Sequence, residues 1–437
     1  MALVGTRGVV RMDTATTPGR LRLLLALLVA GSLGWGVLAA LTADQHASAA
    51  SNVVSVSEPL SLDAEQIYQS LSDADATAAG AFLSGGLEPA TARQRYNADI
   101  AQASVRIEAA TARVGASAAR TQVPGRLSTQ SASASTATGD DLATLTAGLP
   151  VYTGEVDSAQ ADNRLGLPLG AAYLREASGL LRGQLLSAAN DIYDRENGLL
   201  TSASAQATGL PLMIIAIIVG AGACYLLIRS GRWLTRRTHR VINVGVLVAT
   251  ITAMVSVAWL TGAYLAGRAE LLNAQQHGSS VAEAFARADV AALRAHADES
   301  LTLIDNTGDD AYQADYLKQY SQLTKLLAGV HGQSQAAAAM ADAQAWKNAH
   351  AALRALDDGG SHASAVASAS AGPASAAFAK LSRDLSAGII AGQAAFDSHA
   401  RSGRDAFTGL TIGMIVASLV MAAGCTAGLN RRLAEYR

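Results

Sequence analysis

Three features of the sequence predict an all-α membrane protein with four transmembrane helices and two extracytoplasmic up-down four-helix bundles in tandem. Four apolar blocks, at 21–43, 210–228, 241–267 and 406–429, each run about 19 residues or more without a charge past their first positions, enough to cross roughly 30 Å of hydrocarbon as a helix. The two long stretches between blocks carry apolar residues at heptad spacing, the stripe of a bundle seam. Charge follows the same division. The segments 1–20, 229–240 and 430–437, with Arg22 at the head of the first block, hold twelve Arg against Asp13 and Glu435, whereas 44–209 and 268–405 hold 33 acids against 21 bases.

By the positive-inside rule the basic segments are cytoplasmic and the two long stretches lie outside, in a multi-pass plasma-membrane protein with both termini inside. The net charge of −2 over 437 residues therefore conceals +10 inside and −12 outside. Half of the residues are hydrophobic and 16% are charged, below the roughly 25% usual in soluble domains. This composition excludes a disordered chain, and the balance of charge speaks against a nucleic-acid partner. Two Cys exclude a disulfide scaffold.

The first block reads as a retained anchor. Ala-Ser-Ala-Ala at 47–50 makes cleavage the alternative, but the apolar run exceeds the core of about 7–15 residues usual in a signal peptide. In the first outer stretch Ile67, Leu71, Ala78 and Phe82 stripe one helix, and Tyr96, Ile100, Ala103, Ile107 and Val114 a second, with Gly85, Gly86 and Pro89 between them. The Ser/Ala/Thr-rich segment 117–138 reads as a loop or frayed end. A third helix over 140–160 carries Leu142, Leu145, Leu149 and Tyr152, and Pro150 is expected to bend or divide it. A fourth starts at Leu169 and is interrupted near Gly209 and Pro211 before the second block.

The second outer stretch repeats this order. Phe285, Ala288, Leu293, Leu301 and Ile304 mark its first helix, which Asn306-Thr307-Gly308 breaks. Tyr312, Tyr316, Tyr320, Leu323 and Leu327 mark the next, ended by Gly332, and a third follows over 335–356. A break at Gly359-Gly360 and a low-complexity Ser/Ala run to Gly372 follow, after which Phe378, Leu381 and Leu385 belong to a fourth helix entering the last block. The common order reads as one bundle repeated.

No set of side chains points to catalysis, so the chain reads as a non-enzyme without cofactor. The eight His contain no H-x-x-x-H pair, which argues against a metal site. Cys224 and Cys425 read as buried small residues in preference to a redox pair. The acid pairs Asp73/Asp75, Asp298/Glu299 and Asp309/Asp310 could bind a cation, but read as solvated helix ends and faces. None of the apolar blocks carries an internal charge, which weighs against an ion-coupled transporter.

The cytoplasmic pieces are too short for a catalytic domain or a signalling coiled coil, so a message received outside is expected to leave by helix movement that a separate protein reads. Candidate contacts for that protein are Arg232, Trp233, Arg236 and Arg237 in the basic loop; a topology signal that also attracts anionic lipid is the alternative. Outside, the turn at 157–170 presents Asn163 and Arg164, and its counterpart at 305–310 presents Asp309 and Asp310. These corners are candidate partner contacts, with purely structural turns as the alternative.

The phrases DADATAA at 73–79, NRLGLPLGAAYLREAS at 163–178 and ADESLTLI at 297–304, together with the four-pass layout, resemble those of the GlnX-type membrane proteins of actinobacteria over nearly the whole chain. That resemblance implies two partners, an extracytoplasmic GlnH-type solute-binding lipoprotein and the cytoplasmic Ser/Thr protein kinase G, and a relay of amino-acid availability from one to the other. It supplies no set of site residues. Direct sensing of a small ligand between the outer helices, a structural or accessory role in the envelope, and a homo-oligomeric state stay open beside it.

Overall fold

The computed structural model describes residues 17–52, 58–85, 88–121, 129–207, 211–238, 243–305, 311–330 and 332–434, and every regular element among them is a helix. In chain order they are α1 (Thr17–Asn52), α2 (Glu58–Leu83), α3 (Ala90–Thr121), α4 (Thr129–Arg164), α5 (Leu169–Leu180), α6 (Leu186–Ala207) and α7 (Pro211–Thr238). There follow α8 (Val244–Asn273), α9 (Ser280–Asp305), α10 (Ala311–Gly329), α11 (Ser334–Asp358), α12 (His362–Ala371), α13 (Pro373–Asp405) and α14 (Leu410–Ala434). Two short π-helical segments, Leu181–Leu185 and Ala274–Ser279, lie directly before α6 and α9. The chain forms two compact units, one from the described residues of 1–52, 203–272 and 400–437, the other from those of 53–202 and 273–399.

The first unit holds the four apolar blocks, and four helices are long and apolar enough to cross a membrane. Their outward side chains stay apolar: Leu27, Val37, Ile218, Ile251, Val255, Ile412 and Leu419 are all exposed. Such continuous apolar faces suit hydrocarbon, where a helix also satisfies its own backbone. The chain is an all-α membrane protein. Within this unit small residues bring helices close. A Cβ on Gly245 of α8 would stand 2.4 Å from the Gly424 carbonyl oxygen of α14 and 2.7 Å from the Gly428 Cα. Trp35, 1% exposed, donates its Nε1–H to Ser256 Oγ at 3.1 Å. Close backbones and interhelical hydrogen bonds are what hold helices together in lipid, where burying apolar surface supplies little. Both thiols are free, Cys425 buried and Cys224 half-buried.

In the polar unit the two outer stretches share one interior. The core around Ile67, Leu71, Leu145, Tyr152, Leu174 and Leu185 includes Leu301 of α9, and the core around Phe285, Leu323, Trp346 and Leu381 includes Ala76 of α2. Helices α2 and α9 pack on each other at the middle. Both are rich in buried alanine, such as Ala64, Ala74, Ala288 and Ala292, and α9 is buried nearly all round, as a helix enclosed by others must be.

Three local readings are corrected. Pro150 does not divide the third helix; it lies inside an uninterrupted α4. Its ring sits on the exposed side, where the carbonyl that loses its donor faces solvent and not the core, while Leu149 and Tyr152 hold the helix on the core. The Ser/Ala run after the Gly359-Gly360 turn, read only as low complexity between helices, is helix α12, because Ala365 and Ala369 bury one face against Leu303 and Leu353. Alanine also carries α3 to Thr121 and starts α4 at Thr129, so helix covers most of the stretch read as a loop. The interruptions expected at 209 and at 306–308 lie outside the described residues.

Candidate functional site

The two central helices carry acids into the interior: Asp63 and Asp75 on α2, and Asp289, Asp298 and Glu299 on α9, are all buried. Asp75, Asp298 and Glu299 were expected on solvated ends and faces; they are 3%, 1% and 0% exposed. A buried carboxylate needs a partner, and most of these have one. Asp63 meets Arg113 at 2.8 Å and Arg106 at 3.4 Å. Arg182, in the first π-helical segment, reaches Asp75 at 3.5 Å and Asp298 at 2.5 Å, so one guanidinium clamps α2 to α9. Ser178 Oγ donates to Asp75 Oδ1 at 2.6 Å, and Arg175 pairs with Asp305. Burial pushes Asp298 up to about 6 despite the opposing charge of Arg182.

Glu299 is the opposite case. Burial would raise it, but the hydrogen bonds and charges of His296 and His350 hold it down at about 2. Among the described residues no group of three or more His, Cys, Asp or Glu is placed to hold a metal ion.

Between α2, α6, α9 and α10 lies a cavity of about 120 Å³. Glu65 and Tyr68 face it from α2, Tyr193 from α6, and Glu283, Arg287 and Arg294 from α9. The α10 side contributes Gln319 and Gln322. Arg287 is committed, 2.9 Å from Glu283 and 3.2 Å from Asp194, with its guanidinium 5.5 Å from the Tyr193 ring centre. Arg294 lies 5.4 Å from the Tyr68 ring centre, and its Nε is buried without a hydrogen-bond partner. Burial, reinforced by Glu283 and Asp289, pushes Glu65 up to about 7. Beside the cavity, Gln69 donates to Asp289 at 2.6 Å, and burial lifts Asp289 to about 7 against that bond. The arrangement places charged groups of both signs around one small space, with one guanidinium N–H, Arg294 Nε, left without a partner.

The residues singled out from sequence fall elsewhere. Asn163, in the last turn of α4, donates its Nδ2–H to the Phe82 carbonyl oxygen at 2.8 Å, tying the turn to the end of α2. Arg164 is exposed, with Nε 3.3 Å from the Gln160 carbonyl oxygen. The turn after them closes on Gly166 at φ 68° and exposes Leu165, Leu167 and Leu169. Arg232 is exposed near the end of α7, while Trp233 packs partly against the core of the apolar unit. Asp309 and Asp310 lie outside the described residues, as do the side chains of Arg236 and Arg237.

Sequence reading missed Glu65, Arg287 and Arg294. The available signal was the run of alanines around Arg294 on α9, which marks a helix packed on most of its sides and so sets Arg294 against its neighbours; exposed Arg287, and Glu65 of α2, carried no such mark.

Residues 49–205 match the family model of the actinobacterial sensor domain. The match spans α2 to α6 and includes Glu65, Tyr193, Asp75 and Arg182. It fits a sensing role and an actinobacterial membrane protein. No curated protein and no solved structure matches the chain.

Proposed function

We propose that this chain is a transmembrane receptor and not an enzyme: it relays extracytoplasmic amino-acid availability, presented by a solute-binding lipoprotein, to a cytoplasmic Ser/Thr protein kinase. The observation that carries the reading is the sensor-domain match over 49–205. A relay requires an element with two arrangements, one of which the loaded partner binds better. The Arg182 clamp supports such an element, because moving the first half against α9 means breaking the Arg182–Asp298 pair and not sliding gradually. In sequence α6 leads into α7, and α8 into α9, so both halves are continuous with apolar helices.

Docking of the lipoprotein is assigned to the α4–α5 turn, where Leu165, Leu167 and Leu169 form an exposed apolar patch beside Arg164, the composition of a protein-contact surface. The kinase contact is assigned to the basic segment with Arg232, Trp233, Arg236 and Arg237, on the cytoplasmic side of a plasma membrane. Two measurements in cells test the relay. A photo-crosslinker at Leu167 should capture the lipoprotein in an amino-acid-dependent way. An Arg232→Gln/Arg236→Gln/Arg237→Gln variant should lose amino-acid-dependent phosphorylation of the kinase's substrates while topology, read by cysteine labelling, is preserved. Unchanged phosphorylation both in this variant and in a deletion strain would rule the relay out.

A further inference from the structure

We propose that the cleft between α2, α6, α9 and α10 is a direct binding site for a small molecule that carries both an ammonium and a carboxylate, in chemical class an amino acid. This goes beyond the relay, since it requires no partner protein and gives the polar unit a ligand choice of its own.

The charged groups set the ligand's two ends. Arg294 offers a guanidinium whose Nε is buried and has no hydrogen-bond partner. Leaving a buried donor unmatched is unfavourable, and a carboxylate is the acceptor whose two oxygens fit a guanidinium fork. Glu65 faces the same space from α2. An ammonium seated beside Glu65 would give that carboxylate a cation, as Arg287 already does for Glu283. Gln319 and Gln322 supply amides that can turn either a donor or an acceptor to the ligand. Ala286, Val290 and Ala291 form an apolar strip for its carbon atoms.

Size agrees with this class. The cavity of about 120 Å³ approaches the engineered cavity of about 150 Å³ that takes up benzene. A smaller space of about 50 Å³ adjoins it through Glu65, Tyr193 and Glu283 and gives room for a side chain. The local backbone points the same way. The helices that present Tyr193 and the α9 charges each begin at a π-helical segment, a feature that recurs at functional sites. Because Glu65 and Tyr193 belong to the first half and Glu283, Arg287 and Arg294 to the second, a bound ligand would bridge the halves that Arg182 also joins.

Proton release gives an independent handle. Glu65, raised to about 7, faces Glu283, Arg287 and Asp289 of α9 and Tyr193 of α6. Placing an ammonium there favours its ionised form, so binding near pH 7 releases a proton and tightens as pH rises toward 8.

The test is calorimetric titration of the full chain in nanodiscs with each standard amino acid, with putrescine as amine alone and with succinate as carboxylates alone. At least one amino acid is expected to bind with Kd below about 1 mM, with neither control binding. Arg294→Gln and Glu65→Gln should each weaken binding at least about tenfold, and Glu65→Gln should melt no lower than the parent at pH 8, which separates lost binding from lost folding. Repeating the titration in buffers of different ionisation heat should show the released proton. No binding up to about 10 mM, binding untouched by both substitutions, or equal binding of putrescine would overturn the proposal. Crosslinking at Leu167 reads the lipoprotein relay separately, so either can fail alone.

Discussion

Glu299 Oε2 lies 2.7 Å from His350 Nδ1, with the two side chains 0% and 5% exposed. The other ring nitrogen of His350 is 3.0 Å from Gln313 Oε1, and the ring stacks on Tyr316 at 3.7 Å. Both ring nitrogens thus face side-chain oxygens, and the carboxylate accepts from one of them. His296 stands on the far side of the carboxylate at 3.4 Å and stacks on Phe378. This network joins α9, α10 and α11 through one buried charge.

Removing His350 should therefore cost more than its packing. His350→Ala leaves Glu299 charged and short of a donor, and a loss of about 3–5 kcal/mol is expected. Glu299→Gln in the same background should recover part of it, because a neutral amide is cheaper to bury. Thermal melts of the two single variants and the double variant give the coupling; strictly additive losses would refute the ion pair. The pH sign follows from Glu299 being held at about 2, below its ordinary 4.5. Its contribution is present above pH 4.5 and is lost as pH falls from 4.5 through 2.

Other acids of the polar unit, half-buried Glu65 of α2 and Asp99 of α3 and buried Asp289 and Asp298 of α9, act in the reverse sense. Glu65, Asp99 and Asp289 are raised to about 7 and Asp298 to about 6, in each case chiefly by burial. A raised carboxylate binds a proton in the folded state before the unfolded state does, so stability increases as pH falls from 8 toward 5. Melting temperature of the polar unit should accordingly peak near pH 5 and decline on both sides. Asp289→Asn keeps an acceptor for Gln69 and removes a charge that costs stability, so it should stabilise by on the order of 1–3 kcal/mol at pH 8 and by little at pH 5. A melt that rises steadily to pH 8 would contradict the burial of these charges.

Arg182 is the residue whose loss should separate the halves. Arg182→Gln strands Asp75 and Asp298 together, and a destabilisation of about 3 kcal/mol is expected at pH 7.5. The defect should shrink at pH 5, where Asp298 takes up a proton. Hydrogen exchange of α2 and α9 amides would localise the opening; protection lost only in α5 and α6 would show that the clamp does not span the halves.

What the sequence made readable follows from what each signal measures. An apolar block such as 241–267 announces itself because lipid requires a continuous run. Stripes such as Tyr316, Tyr320, Leu323 and Leu327 are read correctly because helix period fixes which side is buried, and all four are buried. Periodicity names a face but not its partner, so nothing in the stripe of α2 reveals that Ala76 packs into the core of the second half. Low complexity misleads in the same way at Ala365 and Ala369, where small residues mark a close contact and not a loop. The cleft was illegible for a further reason: Glu65 and Arg294 lie far apart in sequence and meet only through the α2–α9 packing.

That packing by small residues gives a last prediction in the apolar unit. Gly245 has no room for a Cβ, which would stand 2.4 Å from the Gly424 carbonyl oxygen, whereas Gly262 on the same helix has nothing within 4 Å. Gly245→Ala must push α8 from α14 along their closest contact, and a cost of about 1–3 kcal/mol is expected from strain of this kind. Gly262→Ala meets open space and gains helix propensity, so it should be neutral or stabilising by up to about 1 kcal/mol. Trp35 and Trp259 in this unit report the outcome by fluorescence during denaturation in mixed micelles. Equal effects of the two substitutions would mean that α8 and α14 do not meet at these glycines, and the close-packed arrangement of the apolar unit would have to be redrawn.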